Sequence, residues 1–254
     1  MIILRSEREI AKLRASNRLV AEVLNEVKNA IRVGITTKEL NDLADSLLRA
    51  RDAIPAFKGY RGFPMTLCTS LNEEVVHGIP SNRKLKEGDI VSLDLGAIYQ
   101  GYYGDAALTV GIGEISPEAK KLLEVTEQAL YIGIAESREG NYLSDISHAI
   151  QSYVESFGFS VVRAFVGHGI GTSLHEDPQV PNFGTPGRGP RLRVGMVFCI
   201  EPMVNIGGSE VNILSDNWTV VTADRSLSAH FEHTVAITHN GAEVLTRLHE
   251  DSRE

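Results

Sequence analysis

The chain has 254 residues, 43% hydrophobic and 23% charged, with a formal net charge of −8. That composition fits a soluble globular protein with room for a real core, and the acidic balance leaves no basic footprint for DNA or other nucleic acid. Two cysteines in no CxxC spacing argue against a disulfide framework, and no apolar run reaches the length of a membrane span or forms a signal-peptide core, so a cytoplasmic protein is expected.

Ser6 with Glu9 makes a capping box, Ser at the N-cap and Glu three residues on. Behind it Ile10, Leu13, Val20, Val23, Leu24, Val27 and Ile31 recur at helical spacing, with Gly34 as the stop. Thr36 with Glu39 repeats the box ahead of Leu40, Leu43, Leu47 and Leu48. Pro and Gly breaks, aromatics and a short β-like piece at 65–69 follow. After a central hairpin the helical texture returns. Ser116-Pro117 opens a helix that Gly140 is expected to end, and another runs from about Ser144 to Gly158. The segment 185–193 reads as an exposed loop.

Helix, helix, strands therefore occurs twice. The junctions Arg32-Val33-Gly34 and Arg138-Glu139-Gly140 share a pattern. We expect one domain, 1–254, built from two related halves, roughly 1–112 and 113–254, with a site between them.

The central stretch 89–110 reads as two strands, 90–98 and 102–110, apolar except for a few residues that include Asp94 and Asp105. A turn centred on Tyr99-Gln100 would place Asp94 directly opposite Asp105, with Cβ atoms roughly 4.5–5.5 Å apart. Two carboxylates that close, among apolar neighbours, either share a proton or hold a multivalent cation.

The second half offers more such groups. His168 lies between glycines in Val166-Gly167-His168-Gly169-Ile170-Gly171, where glycine permits close backbone approach or unusual φ. Glu201 ends the apolar run Val197-Phe198-Cys199-Ile200, and Glu232 sits in His230-Phe231-Glu232-His233-Thr234-Val235. Taken singly, each is better read as a salt bridge or an exposed strand residue. Together with the hairpin pair they suit a harder divalent metal such as Mn(II), Fe(II), Co(II) or Zn(II), and carboxylates can bridge two ions with a hydroxide nucleophile between them. His77 and His175 are left over as groups able to polarise a carbonyl. GxSxG, P-loop and HExxH motifs are absent from the sequence, and Cys68 and Cys199 read as buried filler.

These segments resemble a known family. Asn72 to Pro80 (NEEVVHGIP), SLDLG with YGDAALTV, GHGIGTSLHEDPQVPNF, FCIEPMVN and HFEHTVAIT, in that order, are similar to type I methionine aminopeptidases of the short bacterial form, from the first helix to about residue 247. The resemblance implies the α+β pita-bread fold, with two pseudo-symmetric halves around a dinuclear metal site. It implies Asp94, Asp105, His168, Glu201 and Glu232 as ligands, Asp105 and Glu232 bridging both ions, Asp94 serving one, and His168 with Glu201 serving the other. It also implies Glu201 as proton shuttle, and His77 and His175 as contacts to the scissile amide. Tyr60, Phe63, Cys68 and Trp218 would line a methionine pocket; ordinary core packing is the plainer account of those four. The implied reaction is release of N-terminal methionine before a small second residue, by a monomer acting on nascent chains. Phe57 stands where the family commonly has cysteine, and Leu174 where it commonly has Phe, so the pocket's shape is expected to differ.

The long insertion of type II enzymes, the N-terminal zinc-binding extension and the large N-terminal domain of prolidases are expected to be absent. Two rivals remain: an enzyme cleaving before proline, and a non-catalytic peptide- or ribosome-binding protein, against which the full ligand set counts. Arg188, Arg191 and Arg193 read as a solvated face, with ribosomal RNA contact as the alternative.

Overall fold

The computed structural model describes residues 1–248; residues 249–254 of the expected second half lie outside them. Helices α1 (Glu7–Asn29) and α2 (Thr37–Arg49) carry the two predicted capping boxes, at Ser6/Glu9 and Thr36/Glu39. Helix α3 (Pro117–Glu136) starts behind Ser116, and α4 (Leu143–Glu155) follows. The β-like piece is the strand Leu67–Leu71, two residues later than expected.

A nine-stranded sheet passes through both halves. Its centre is the hairpin of Ile90–Tyr99 and Tyr102–Gly111, and the second hairpin strand pairs with Glu232–Thr238, which pairs in turn with Val197–Ile200. Strand alternation sorts the residues. In the first half Val91, Leu93, Leu95 and Ala106 pack under α1 and α2 with Val20, Val23, Leu40 and Leu48. In the second, Phe198, Ile200, Val235 and Ile237 pack under α3 and α4 with Leu122, Ala129, Ile146 and Ile150. Full burial of each of the larger of these side chains contributes about 1.5–3 kcal/mol. The alternate residues, including Ser92, Asp94, Asp105, Cys199 and Glu232, are left on the opposite face.

The repeat is visible atom by atom at the helix junctions. Gly34 and Gly140 do not end their helices, which stop at Asn29 and Glu136. They adopt φ of +88° and +91° in the following turns, a conformation that favours glycine. Gly34 donates its N–H to the Leu85 carbonyl, and Leu85 returns one to Ile35; Gly140 donates to Leu192, and Leu192 returns one to Asn141. Lys84-Leu85-Lys86-Glu87-Gly88 therefore matches Arg191-Leu192-Arg193-Val194-Gly195. Counting on six residues from Gly88 and from Gly195 reaches Asp94 and Glu201, which occupy equivalent places in the two halves.

Candidate active site

The hairpin register differs from the expected one. Tyr99 pairs with Tyr102, so Asp94 faces Ala107 and Asp105 faces Gly96. Gln100 and Gly101, both at positive φ (51° and 79°), form the turn, as a tight hairpin requires. The two aspartates are diagonal neighbours on one face. Ala107 also faces Glu232 across the next strand pair, and Cys68 faces Asp94 on the other side. A row Cys68, Asp94, Ala107, Glu232 thus crosses four strands, and the short Ala107 methyl leaves room for the carboxylates around it.

His168 reaches this row from the strand Gly167–Gly169. Its glycine neighbours serve close approach: a Cβ on Gly167 would stand 2.3 Å from the Cys199 carbonyl oxygen, and one on Gly169 2.1 Å from that of Asp177. Gly169→Ala is therefore expected to destabilise the protein by at least about 1–3 kcal/mol and to displace His168, measurable as a lower Tm together with weaker divalent-metal binding.

His168 Nδ1 donates to the Gly169 carbonyl oxygen at 3.0 Å. That leaves the Nε2 lone pair facing Asp105 Oδ2 at 3.8 Å and Glu201 Oε1 at 3.6 Å. These separations are too long for hydrogen bonds and suit ligands around one cation. Asp94 Oδ1, Asp105 Oδ1, Glu232 Oε1 and His230 Nε2 are buried and find no hydrogen-bond partner among the described residues. Burial pushes the Asp94 carboxyl up to about 7. Burial and the neighbouring acids push Asp105, Glu201 and Glu232 well above the usual carboxylate range. Burial lowers His168 to about 3. Orphaned acids and a neutral imidazole around one point form a donor set that divalent cations fit. Ligand atoms of Asp105, His168, Cys199 and Glu232 all lie within 4.8 Å of one another. Cys199 is the member that sequence reading passed over. Burial and the adjacent acids keep it a thiol, in contact with Thr234 Oγ1 at 3.4 Å.

A cavity of about 250 Å³ opens onto these groups, and every expected site residue with a side chain outside the ligand set lines it: Tyr60, Phe63, Cys68, His77, His175 and Trp218. Phe57 and Leu174 line it too, both buried. Gly96 makes space for the Phe57 ring, whose Cε1 would lie 2.5 Å from a Cβ there. Trp218 packs edge-on against Phe63 with centroids 5.2 Å apart and against His77 at 6.2 Å. His77 holds φ at 60°, a strained value for a side-chain-bearing residue. His175 lies at the mouth, its Nδ1 2.8 Å from the Tyr60 hydroxyl and its ring centroid 4.2 Å from that of His168. Burial lowers His77 to about 4, and burial with the Arg61 charge lowers His175, so both imidazoles are neutral near pH 7.

The basic loop is partly structural. Arg188, Arg191 and Arg193 are all exposed, and Arg191 also donates to the Gly140 carbonyl at 2.9 Å and covers the Tyr142 ring at 4.5 Å. Among the described residues no helix is long and apolar enough to cross a membrane.

Residues 11–239 match the model of metallopeptidase family M24. The chain is 55% identical to methionine aminopeptidase 1 of Bacillus subtilis, over 98% of this chain and all of that one. The structure of methionine aminopeptidase from Rickettsia prowazekii superposes with a TM-score of 0.96 at 43% identity, covering 97% of this chain and all of that one. The Thermotoga maritima methionine aminopeptidase structure gives 0.95 at 50% identity over the same shares. The fold is the α+β pita-bread fold, and the chain belongs to the methionine aminopeptidase branch of metallopeptidase family M24.

Proposed function

We propose that this chain hydrolyses the peptide bond after an N-terminal methionine, preferring a small second residue, as a monomeric dinuclear metallo-aminopeptidase acting in the cytoplasm on nascent polypeptides. The observation that carries this reading is the cavity itself: about 250 Å³, acidic at one end and lined with aromatic rings and sulfur at the other. That is small for a ligand pocket and suits one side chain and its peptide bond.

Asp94, Asp105, His168, Glu201 and Glu232 would hold two divalent ions, with Asp105 and Glu232 shared. Bound there, Mn(II), Fe(II), Co(II) or Zn(II) supplies Lewis acidity and lowers the pKa of water. Glu201 takes up a proton from the attacking water and returns it to the leaving amine; burial, with Asp105 and Asp94 nearby, raises its carboxyl well above the usual carboxylate range. His77 and His175, neutral, flank the scissile amide and each offers an N–H to the oxygen that gains charge. The methionine thioether lies against Tyr60, Phe63 and Trp218, with the Cys68 thiol beside it. Phe57 and Leu174 close the wall.

The test is methionine release from Met-Ala-Ser in metal-free buffer, with each of the four metals added back, beside Met-Lys and Xaa-Pro peptides. Metal-dependent release from Met-Ala-Ser, much slower release from Met-Lys and none from Xaa-Pro is expected. Cleavage of Xaa-Pro would support an enzyme acting before proline. No release with any metal, from folded protein, would support a peptide-binding module.

A further inference from the structure

His230 is buried at 2% exposure and lines the cavity, yet it stands outside the expected ligand set. Its backbone is clamped by one hydroxyl. Its N–H donates to Thr109 Oγ1 at 2.9 Å, and Thr109 Oγ1 donates back to its carbonyl at 2.7 Å. Ser92, opposite Thr109 in the hairpin, touches the same oxygen at 2.8 Å. The polar residues of the site face therefore fix where the imidazole stands. Its Nε2 has no hydrogen-bond partner among the described residues and lies 3.7 Å from Glu201 Oε2. His168 Nε2 lies 3.6 Å from Oε1 of the same carboxylate. Glu201 is thus flanked by an imidazole at each oxygen, one already tied by its other nitrogen to a carbonyl, one with an unused polar atom.

A buried polar atom left unpaired is unfavourable, and a metal-ligating carboxylate commonly takes a hydrogen bond at its other oxygen. We propose that His230 is a positioning residue: its Nε2–H donates to Oε2 of Glu201 and aims Oε1 at the cation shared with His168. The assignment rests on the metal-centre reading above. At 3.7 Å the pair stands beyond hydrogen-bond length, so the donor role requires the two groups to close by several tenths of an ångström when the carboxylate takes up a cation. Ionised Glu201 is acceptor-only, so the proton must sit on Nε2 of the imidazole.

The experiment titrates Mn(II) into metal-free wild type, His230→Leu and His230→Gln by calorimetry, with circular dichroism confirming the fold of each. Wild type is expected to bind, and His230→Leu to bind about 10–100-fold more weakly. His230→Gln, whose amide N–H reaches the same oxygen, is expected to stay within a factor of about three of wild type. A long-range proton–nitrogen spectrum of Zn(II)-loaded wild type, assigned against His230→Gln, is expected to show Nε2 protonated, and this reading does not depend on either variant's stability. Equal affinity in His230→Leu, or His230→Gln as weak as His230→Leu, overturns the donor role. An unprotonated Nε2 overturns it in favour of direct ligation. Wild type that binds no metal overturns the metal centre, and His230's role with it; tight binding by wild type and His230→Leu alike overturns His230's role alone.

Discussion

Glu201→Gln is expected to lower methionine release from Met-Ala-Ser by about 10²–10⁴-fold, the range for losing a positioned acid–base group. The amide matches the carboxylate in size and plane, so the strand end and the cavity keep their shape. What changes is chemistry. Gln cannot hold and return a proton, and it would present no negative charge to a cation held jointly with His168, whose Nε2 stands 3.6 Å from Glu201 Oε1. Loss of charge alone would weaken metal binding and would be recovered at high metal concentration; loss of the relay would not. Turnover measured at saturating Mn(II) therefore isolates the relay. Near-normal turnover there would remove Glu201 from the proton-transfer role, while recovery only at high metal would leave it a ligand and nothing more. The fold is expected to persist, because the neighbours Cys199 and Ile200 are packed at 0% exposure independently of the carboxylate.

How far these features could be read in the chain depended on whether a short-range rule governed them. The capping boxes at Ser6/Glu9 and Thr36/Glu39 are local hydrogen-bond patterns, and the structure keeps both. Acids embedded in apolar strands pointed to Asp94, Asp105, Glu201 and Glu232 because burying unpaired carboxylates is so unfavourable. Register was harder. Centring the turn on Tyr99-Gln100 ignored Gly101, the residue best able to take positive φ, and the pairing moved accordingly. The convergence survived because a two-residue change in the cross-strand sum keeps both aspartates on one face. The repeat was legible only in the glycine junctions; Lys84-Leu85-Lys86 and Arg191-Leu192-Arg193 carry it too, but their equivalence lies in backbone bonds to distant turns. Tyr60, Phe63, Cys68 and Trp218 came from family resemblance, since nothing local brings residue 218 beside residue 63. His230 had no local signal. Its place follows from pairing with Met203 and from the Thr109 clamp, both set by the tertiary fold.

Stripping divalent metal with a chelator is expected to make stability fall as pH rises from about 6.5 to 8, and adding Mn(II) or Co(II) to reverse the trend. The sign follows from proton counting. Burial raises Asp94 to about 7, and burial with the neighbouring acids lifts Asp105, Glu201 and Glu232 well above their unfolded values. Between the unfolded and folded values the native state holds more protons, so their contribution is lost as pH rises through that window. His77, lowered to about 4, and His168 and His230, lowered to about 3, act oppositely. For these the unfolded state holds more protons, so stability rises with pH, but only up to the unfolded imidazole value of about 6.5. Below that point the two sets oppose each other. Above it the raised carboxylates set the slope, joined toward pH 8 by the buried thiols of Cys68 and Cys199, which are also raised and act in the same sense, and the slope turns downward. A bound divalent cation prefers those carboxylates ionised, so metal binding releases protons and strengthens with pH. At free metal about 100 times Kd, linkage adds about 2.7 kcal/mol, or about 5–10 °C of Tm in a domain of this size. Thermal scans at several pH values, with chelator and with Mn(II), measure both trends. A chelated protein whose Tm climbs steadily from pH 6.5 to 8, or a metal-induced rise that shrinks with pH, would mean the four acids are not the groups that meet the cation.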